Sequence, residues 1–413
     1  MARDSEKIGL VLSGGGARGA YEFGVLSVLL PALEQRPNVI LGTSVGAINA
    51  AYVAANAHRP LSEMLEDGRK LWLEASWEDV LKPLIAPATA LSGARYAGAV
   101  AGIPGVDLHS LLDPAPLQGT LESWIDWDSI HRNVEDGTVD SLSVVATSAI
   151  NARSAVFVES RQDPPSDSSY EIDYIGTRLE VQHVRASAAI PVVFPAVDID
   201  TPEDAAGYYF DGGTRLNTPL KPAIDLGVDR VIILATHSVD PTQDGNWHTP
   251  GELPDFGDAA VQFLFAALVD SLIADVKMLG KINLLAGDQT ELLDDYRGER
   301  GRMPVREIPY IFVSPPSRDR LGDIAYEIFG AHYDKIRGFL RSTNIAALGR
   351  LMGGVTEPHG ELLSYLMFVR EFSEAIMKQG EEDARRWLER DWGEDGPWMH
   401  GPIDTLKEEA AER

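Results

Sequence analysis

The sequence predicts an α/β fold, a mainly parallel central sheet with helices on its faces, followed by a helical C-terminal extension. Three observations predict it. Two strand–glycine loop–helix units stand within the first sixty residues. Short branched apolar runs recur downstream between helical stretches. Beyond the last of these runs the pattern is helical to near the end of the chain.

Lys7-Ile-Gly-Leu-Val-Leu-Ser13 is a short apolar run that ends at three glycines, which reads as a buried strand entering a tight loop. Gly19 to Leu30 has helical period and is closed by Pro31. Asn38 to Leu41 is a second strand, Gly42 to Gly46 a turn, and Ala47 to Ala55 a small-residue helix. Leu61 to Ala75 is predicted helical. The apolar, charge-poor stretch 80–106 reads equally as a lid, a wall for an apolar ligand or an ordinary packed cap. Leu142 to Ser148 and Ser154 to Glu159 read as strands joined by a turn. Leu220 to Leu226 is helix-like and leads through Gly227 to the buried strand Val231 to Thr236. Residues 241–258 are loop by composition, 259–285 helical, and Ile308 to Ser314 a late strand ended by Pro315 and Pro316. Helices are expected at Ala325 to Arg341, Glu361 to Lys378 and Glu381 to Arg390. In that tail Met352, Leu363, Leu366, Met367 and Phe372 read as core.

The chain has 413 residues, 44% of them hydrophobic, enough for one large α/β domain or two ordinary ones. It contains no cysteine, so neither disulfides nor thiol chemistry enter. The charged start lacks the apolar run of a secretory signal, and no stretch approaches the length of a membrane span, so a cytoplasmic location is expected. A net charge of −27 repels phosphate backbones, which argues against a nucleic-acid partner and against standing adsorption to anionic bilayers. Membrane or micelle contact is expected to be transient, through 80–106. Nothing in the sequence sets an oligomeric state.

Three motifs carry chemistry. Gly42-Thr43-Ser44-Val45-Gly46 is G-x-S-x-G between a strand and a helix. That placement thrusts the Ser44 hydroxyl out of a sharp turn and sets a helix N-terminus beside it. The glycines Gly42 and Gly46 remove side chains that would crowd it. Gly14, Gly15 and Gly16, with Arg18 after them, open a helix with unsatisfied amides suited to an anion. The run also matches a dinucleotide fingerprint, but the acidic residue that reading needs is missing from the end of the second strand. Glu34 lies before that strand. The glycines are therefore read as an oxyanion hole for Ser44, with Arg18 steadying the loop or adding positive potential. Asp211 ends the aromatic run Tyr208-Tyr-Phe and precedes Gly212 and Gly213. By itself this is a turn signal, but a carboxylate there is able to reach across a sheet's carboxyl edge to a serine.

In combination these blocks resemble the patatin-like phospholipase family. The resemblance extends through Arg185-Ala-Ser-Ala-Ala-Ile-Pro-Val-Val-Phe-Pro195, Asn217-Thr-Pro-Leu and Ala223 to Ile233, all in the family's order over roughly residues 7–236. It implies a patatin-like three-layer α/β/α fold and a Ser44–Asp211 dyad without histidine. It also implies an acyl-ester lipid as substrate, an acyl pocket shaped by residues 80–140 with 80–106 as a candidate wall, and no metal or other cofactor. The expected organisation is a catalytic core over 7–236, completing elements over 237–320 and a helical extension over 321–413. Two rivals stand beside it. One is a Ser–His–Asp hydrolase using His237, with His183 and His332 as weaker candidates. The other is a non-catalytic lipid- or nucleotide-binding module built on the glycine loop.

Overall fold

The computed structural model describes residues 6–83, 112–165, 172–191, 193–238, 276–284, 286, 306–333, 342–351 and 357–403. Its centre is a mixed sheet, mostly parallel and flanked by helices. The strands are β1 (Ile8–Leu12), β2 (Val39–Thr43), β3 (Ser141–Ser148), β4 (Ser154–Ser160), β5 (Ile172–Gly176), β6 (Val197–Ile199), β7 (Gly207–Asp211), β8 (Arg230–Leu234) and β9 (Tyr310–Val313). Seven run in the order β5-β4-β3-β2-β1-β8-β9, and β7 pairs with β3 and β6. Strands β3, β2, β1, β8 and β9 are mutually parallel, whereas β4 and β7 run against β3. Leu10, Leu12, Ile40, Leu41, Ile232 and Ile233 are fully buried, as the unbroken apolar runs of a two-sided parallel sheet require.

The register on β3 determines what the sheet can do. One edge of β3 is taken by β4. Along the other, β2 covers Ser141 to Val145 and β7 covers Ala146 to Ser148. Thr43 pairs with Val145, and Asp211 with Ala146. Because β2 is parallel and β7 antiparallel to β3, the two strands run toward each other and end at adjacent positions. Residues 44 and 211 meet there although 167 positions separate them.

Helix α1 (Gly19–Ala32) follows β1 and α2 (Val45–Ala55) follows β2; α3 (Leu61–Glu74) comes next. Every residue of α2 is buried, and its alanines let it lie close to the sheet. Pro31 does not stop α1 but sits in its last turn. Strands β5 and β6 were not expected from the sequence. Both are short, and β6 is only three residues. Residues 84–111, most of the ambiguous apolar segment, and most of 259–285 lie outside the described residues, as does Met352.

The C-terminal helices differ in phasing from the expectation. They span Arg320–His332, Thr343–Leu351, Glu357–Leu366 and Arg370–Leu388. The helix expected over 361–378 breaks at 367–369, where Val369 is extended and caps the last helix. That helix then runs through Gly380, where a break was expected. A Cβ there would come within 2.3 Å of the Tyr21 carbonyl oxygen, so the glycine serves close approach of α1 rather than termination. Leu363, Met367 and Phe372 are fully buried, and Leu366 nearly so, in one hydrophobic cluster with β1 and α1.

Candidate active site

Ser44 stands between β2 and α2 with φ 55 and ψ −125. A non-glycine residue in this region carries strain of about 1–3 kcal/mol and persists only where its surroundings fix it. Here they do. A Cβ on Gly42 would lie 2.1 Å from the Gly46 carbonyl oxygen, and one on Gly46 2.4 Å from that of Leu12, so the elbow closes only around two glycines. The Ser44 amide donates to Ser187 Oγ at 2.8 Å, and the Ser187 hydroxyl donates to the Val145 carbonyl at 2.5 Å. Ser187 was not singled out from the sequence. Its only signal was a place in the Arg185-Ala-Ser block.

The Ser44 hydroxyl donates to Asp211 Oδ2 at 2.6 Å. The other carboxylate oxygen accepts the Gly213 amide at 2.7 Å, and the Asp211 amide donates to the Ala189 carbonyl at 2.8 Å. A Cβ on Gly212 would lie 2.4 Å from the Val145 carbonyl oxygen, so the turn after the aspartate also requires its glycine. Both side chains are buried, Ser44 at 5% and Asp211 at 2% exposure. Burial pushes the Asp211 carboxyl up from 3.8 to about 7, against the opposing hydrogen bonds from Ser44 and Gly213. A carboxylate poised near neutrality and bonded to a hydroxyl is a competent proton acceptor.

The glycine loop lies against this pair. A Cβ on Gly14 would come within 3.1 Å of Ser44 Cβ, and Gly16 shares a cleft with Ser44. The Gly14 amide donates to the Asn217 carbonyl at 3.2 Å and is thereby engaged. The amides of Gly15 and Gly16 donate to no described residue. Thr236 Oγ1 donates to the Gly14 carbonyl at 2.7 Å, fixing the loop to the end of β8. Gly16 has φ 58, and a Cβ on it would lie 2.3 Å from the Tyr365 carbonyl oxygen.

Arg18, expected either to steady the loop or to add positive potential to it, is turned toward the C-terminal helix Glu357–Leu366. It is fully buried, with Nε donating to Ser364 Oγ at 2.8 Å. It forms a short ion pair with Glu361 and lies 4.6 Å over the Tyr365 ring. With its guanidinium committed to the helix Glu357–Leu366, Arg18 braces the loop and does not extend the donor set.

His237 does not complete a triad in this arrangement. Its Nε2 lies 2.8 Å from the Tyr365 hydroxyl and 3.0 Å from Arg18, while Ser44 bonds Asp211 with no imidazole between. Burial first, then Arg18 and Arg318, hold its pKa well below 6.5. His183 is a buried capping residue accepting the Glu180 amide at 3.0 Å, and His332 ends its helix. Among the described residues no group of three or more His, Asp or Glu side chains is placed to hold a metal ion. Nor is any helix there long and apolar enough to cross a membrane.

A narrow apolar cleft begins at Ser44. Val45, Ile48, Trp72, Val80, Leu117, Leu121 and Trp124 are among the residues that line it, with Tyr365, Leu366 and Phe368 from the C-terminal part of the chain. Part of the segment expected to shape an acyl pocket therefore does line it. The contribution of the C-terminal residues was not expected.

A family model described as patatin-like phospholipase matches residues 10–224. No curated protein matches the chain significantly. Among solved structures the chain is similar to VipD from Legionella pneumophila, at 13% identity and TM-score 0.30, over 92% of this chain and 67% of that one. It is also similar to human GIVD cytosolic phospholipase A2 in complex with methyl gamma-linolenyl fluorophosphonate, at 15% identity and TM-score 0.32, over 92% and 59%. A third is the ExoU–SpcU complex of the type III secretion system of Pseudomonas aeruginosa, at 14% identity and TM-score 0.26, over 96% and 74%. The chain thus spans 67% and 59% of the length of the first two. The match of the family model over more than half of the sequence shows that the chain belongs to the patatin-like phospholipases, a family of lipid hydrolases.

Proposed function

We propose that this protein hydrolyses carboxylic ester bonds of lipids through a Ser44–Asp211 dyad. The observation that carries the reading is the 2.6 Å hydrogen bond from the Ser44 hydroxyl to a buried Asp211 carboxylate, at the mouth of an apolar cleft. The acyl chain lies in the cleft with its carbonyl carbon over Ser44. Oγ attacks that carbon while its proton passes to Asp211 Oδ2. The negative charge on the carbonyl oxygen is met by the Gly15 and Gly16 amides, and Gly14 shapes the loop without donating. One such donor contributes about 10²–10³ in rate. Collapse of the tetrahedral intermediate expels the alcohol, which takes the proton from Asp211. A water molecule then gives a proton to Asp211 and attacks the acyl carbon; as that intermediate collapses Asp211 returns the proton to the departing Ser44 Oγ, which releases the fatty acid and restores the dyad.

The test is turnover of a panel of acyl esters by the wild type, Ser44→Ala and Asp211→Asn, with labelling by an organophosphonate. Each variant should lose at least about 10³-fold in kcat. Labelling should fall on Ser44 and vanish in Ser44→Ala. Full turnover by either variant would overturn the dyad. His237→Ala separates the dyad from a triad: retention of most turnover supports the dyad, whereas collapse to the level of Ser44→Ala would establish the histidine. Absence of labelling on an otherwise folded wild type would favour a binding module.

A further inference from the structure

The segment after Asp211 carries a side chain that the dyad and the glycine loop leave unused. Asn217 caps the single turn of helix Gly213–Leu216 and is 3% exposed. The main chain here is tied to both halves of the site. The Asn217 carbonyl accepts the Gly14 amide at 3.2 Å. The Leu216 carbonyl accepts the Thr43 hydroxyl at 2.9 Å, one residue ahead of Ser44. These backbone bonds place residue 217 whatever side chain it bears.

The side chain lies beside the reacting atoms. A Cβ built on Gly14 would come within 2.3 Å of Asn217 Oδ1 and 3.1 Å of Ser44 Cβ. The amide head group therefore stands across one methyl-sized gap from the nucleophile's own carbon. That gap explains the first glycine of the loop, whose amide is already engaged: a larger residue at 14 would push Asn217 away from Ser44. The polar side chains around it are all partnered. Ser44 bonds Asp211, Ser187 bonds the Val145 carbonyl, and Thr236 bonds the Gly14 carbonyl. The Asn217 head group makes no hydrogen bond among the described residues. A buried amide left in that state costs stability and calls for a partner from outside the chain. Its nitrogen offers two N–H donors and no charge, which suits an oxygen that is neutral in an ester and negative in the tetrahedral intermediate. A half-turn about the last side-chain bond exchanges Oδ1 and Nδ2 in nearly the same space, so a developing anion can draw the donor side toward itself.

We propose that the Asn217 side-chain amide is a third oxyanion donor, joining the Gly15 and Gly16 amides at the carbonyl oxygen of the bound ester. The proposal rests on the hydrolase reading above and adds a catalytic residue to it. Asn217→Leu keeps roughly the side chain's shape and removes its donors; Asn217→Ala removes the head group without adding an apolar branch, which guards against a misfit of leucine. Each should lose about 10²–10³-fold in kcat, with KM within about threefold of the wild type. The second readout is inhibition by a trifluoromethyl ketone carrying the same acyl chain. Ser44 Oγ adds to its carbonyl carbon, the hydroxyl proton passes to Asp211 Oδ2, and the former carbonyl oxygen becomes the anion. Its inhibition constant should rise in step with the loss in kcat/KM, while an ether analogue of the ester, which has no carbonyl, binds within about threefold of the wild-type value. A packing role for Asn217 would weaken ketone and ether alike. Equal weakening of the two, or kcat within about threefold of the wild type in either variant, would overturn the assignment and leave the dyad standing. A wild type that turns over no ester and binds the ketone no better than the ether would instead refute the hydrolase reading itself.

Discussion

Replacing Asp211 by Asn should cost activity and, near neutral pH, add stability, and the size of the gain follows from the carboxyl's surroundings. Its folded pKa is raised from 3.8 to about 7 by burial. Between those values the native state holds a proton that the unfolded chain has released, so wild-type stability falls as pH rises through this window. A shift of roughly three units corresponds to about 4 kcal/mol at full ionisation. Asparagine removes that term but has one acceptor oxygen for two donors, Ser44 Oγ and the Gly213 amide, and loses about 1 kcal/mol for the unmatched bond. The variant should then be more stable than the wild type by about 2–3 kcal/mol at about pH 8 and slightly less stable at about pH 4. Urea unfolding across that range is the assay. Glu22, pushed up to about 8 by burial, contributes the same slope to both proteins, so the difference curve is the quantity to read. A difference independent of pH would refute the reasoning. The wild-type kcat/KM should in parallel rise with pH through about 7 and then level, as a general base with that pKa requires.

Gly16→Ala places a methyl group 2.3 Å from the Tyr365 carbonyl oxygen at a residue with φ 58, so the loop must shift. Turnover should fall about 10²–10³-fold, by loss of amide alignment, while circular dichroism stays native. Glu361→Gln removes the ion-pair partner of the buried Arg18 and should lower stability by about 2–4 kcal/mol in denaturant titration. It should also reduce kcat more than it raises KM, because Arg18 braces the donor loop. Leu121→Phe narrows the cleft and should lower the ratio of long-chain to acetyl-ester kcat/KM about tenfold, measured on a homologous ester series.

The parts of the site legible in the sequence were those whose residue types announce their backbone. The strand–glycine–helix units around Gly14 to Gly16 and Ser44 need glycine for close approach, and those glycines stand in the text. Asp211 was legible as a turn residue at the end of an aromatic strand, and its meeting with Ser44 only through the family resemblance. The register that brings them together depends on β3 accepting two strands on one edge, a long-range pairing with no local signal. Ser187 escaped notice because a small hydroxyl in a helical stretch looks like filler until its partner, the Ser44 amide, is known. The contribution of Tyr365, Leu366 and Phe368 to the cleft was hidden for a related reason. Their apolar period fits any packed helix, and Leu366 was correctly read as core without showing which surface it would meet.

The end-to-end arrival of β2 and β7 along one border of β3 gives the protein a built-in alignment check. A strand slides in steps of two residues if its side chains are to keep their faces, and each such step displaces a side chain by about 7 Å. Slippage of β7 would carry the carboxylate out of reach of the hydroxyl entirely, so under the proposed dyad misaligned molecules should be inert rather than sluggish. Specific activity in a refolded preparation therefore counts correctly zipped sheets, and the titre of organophosphonate-reactive serine should equal the native fraction.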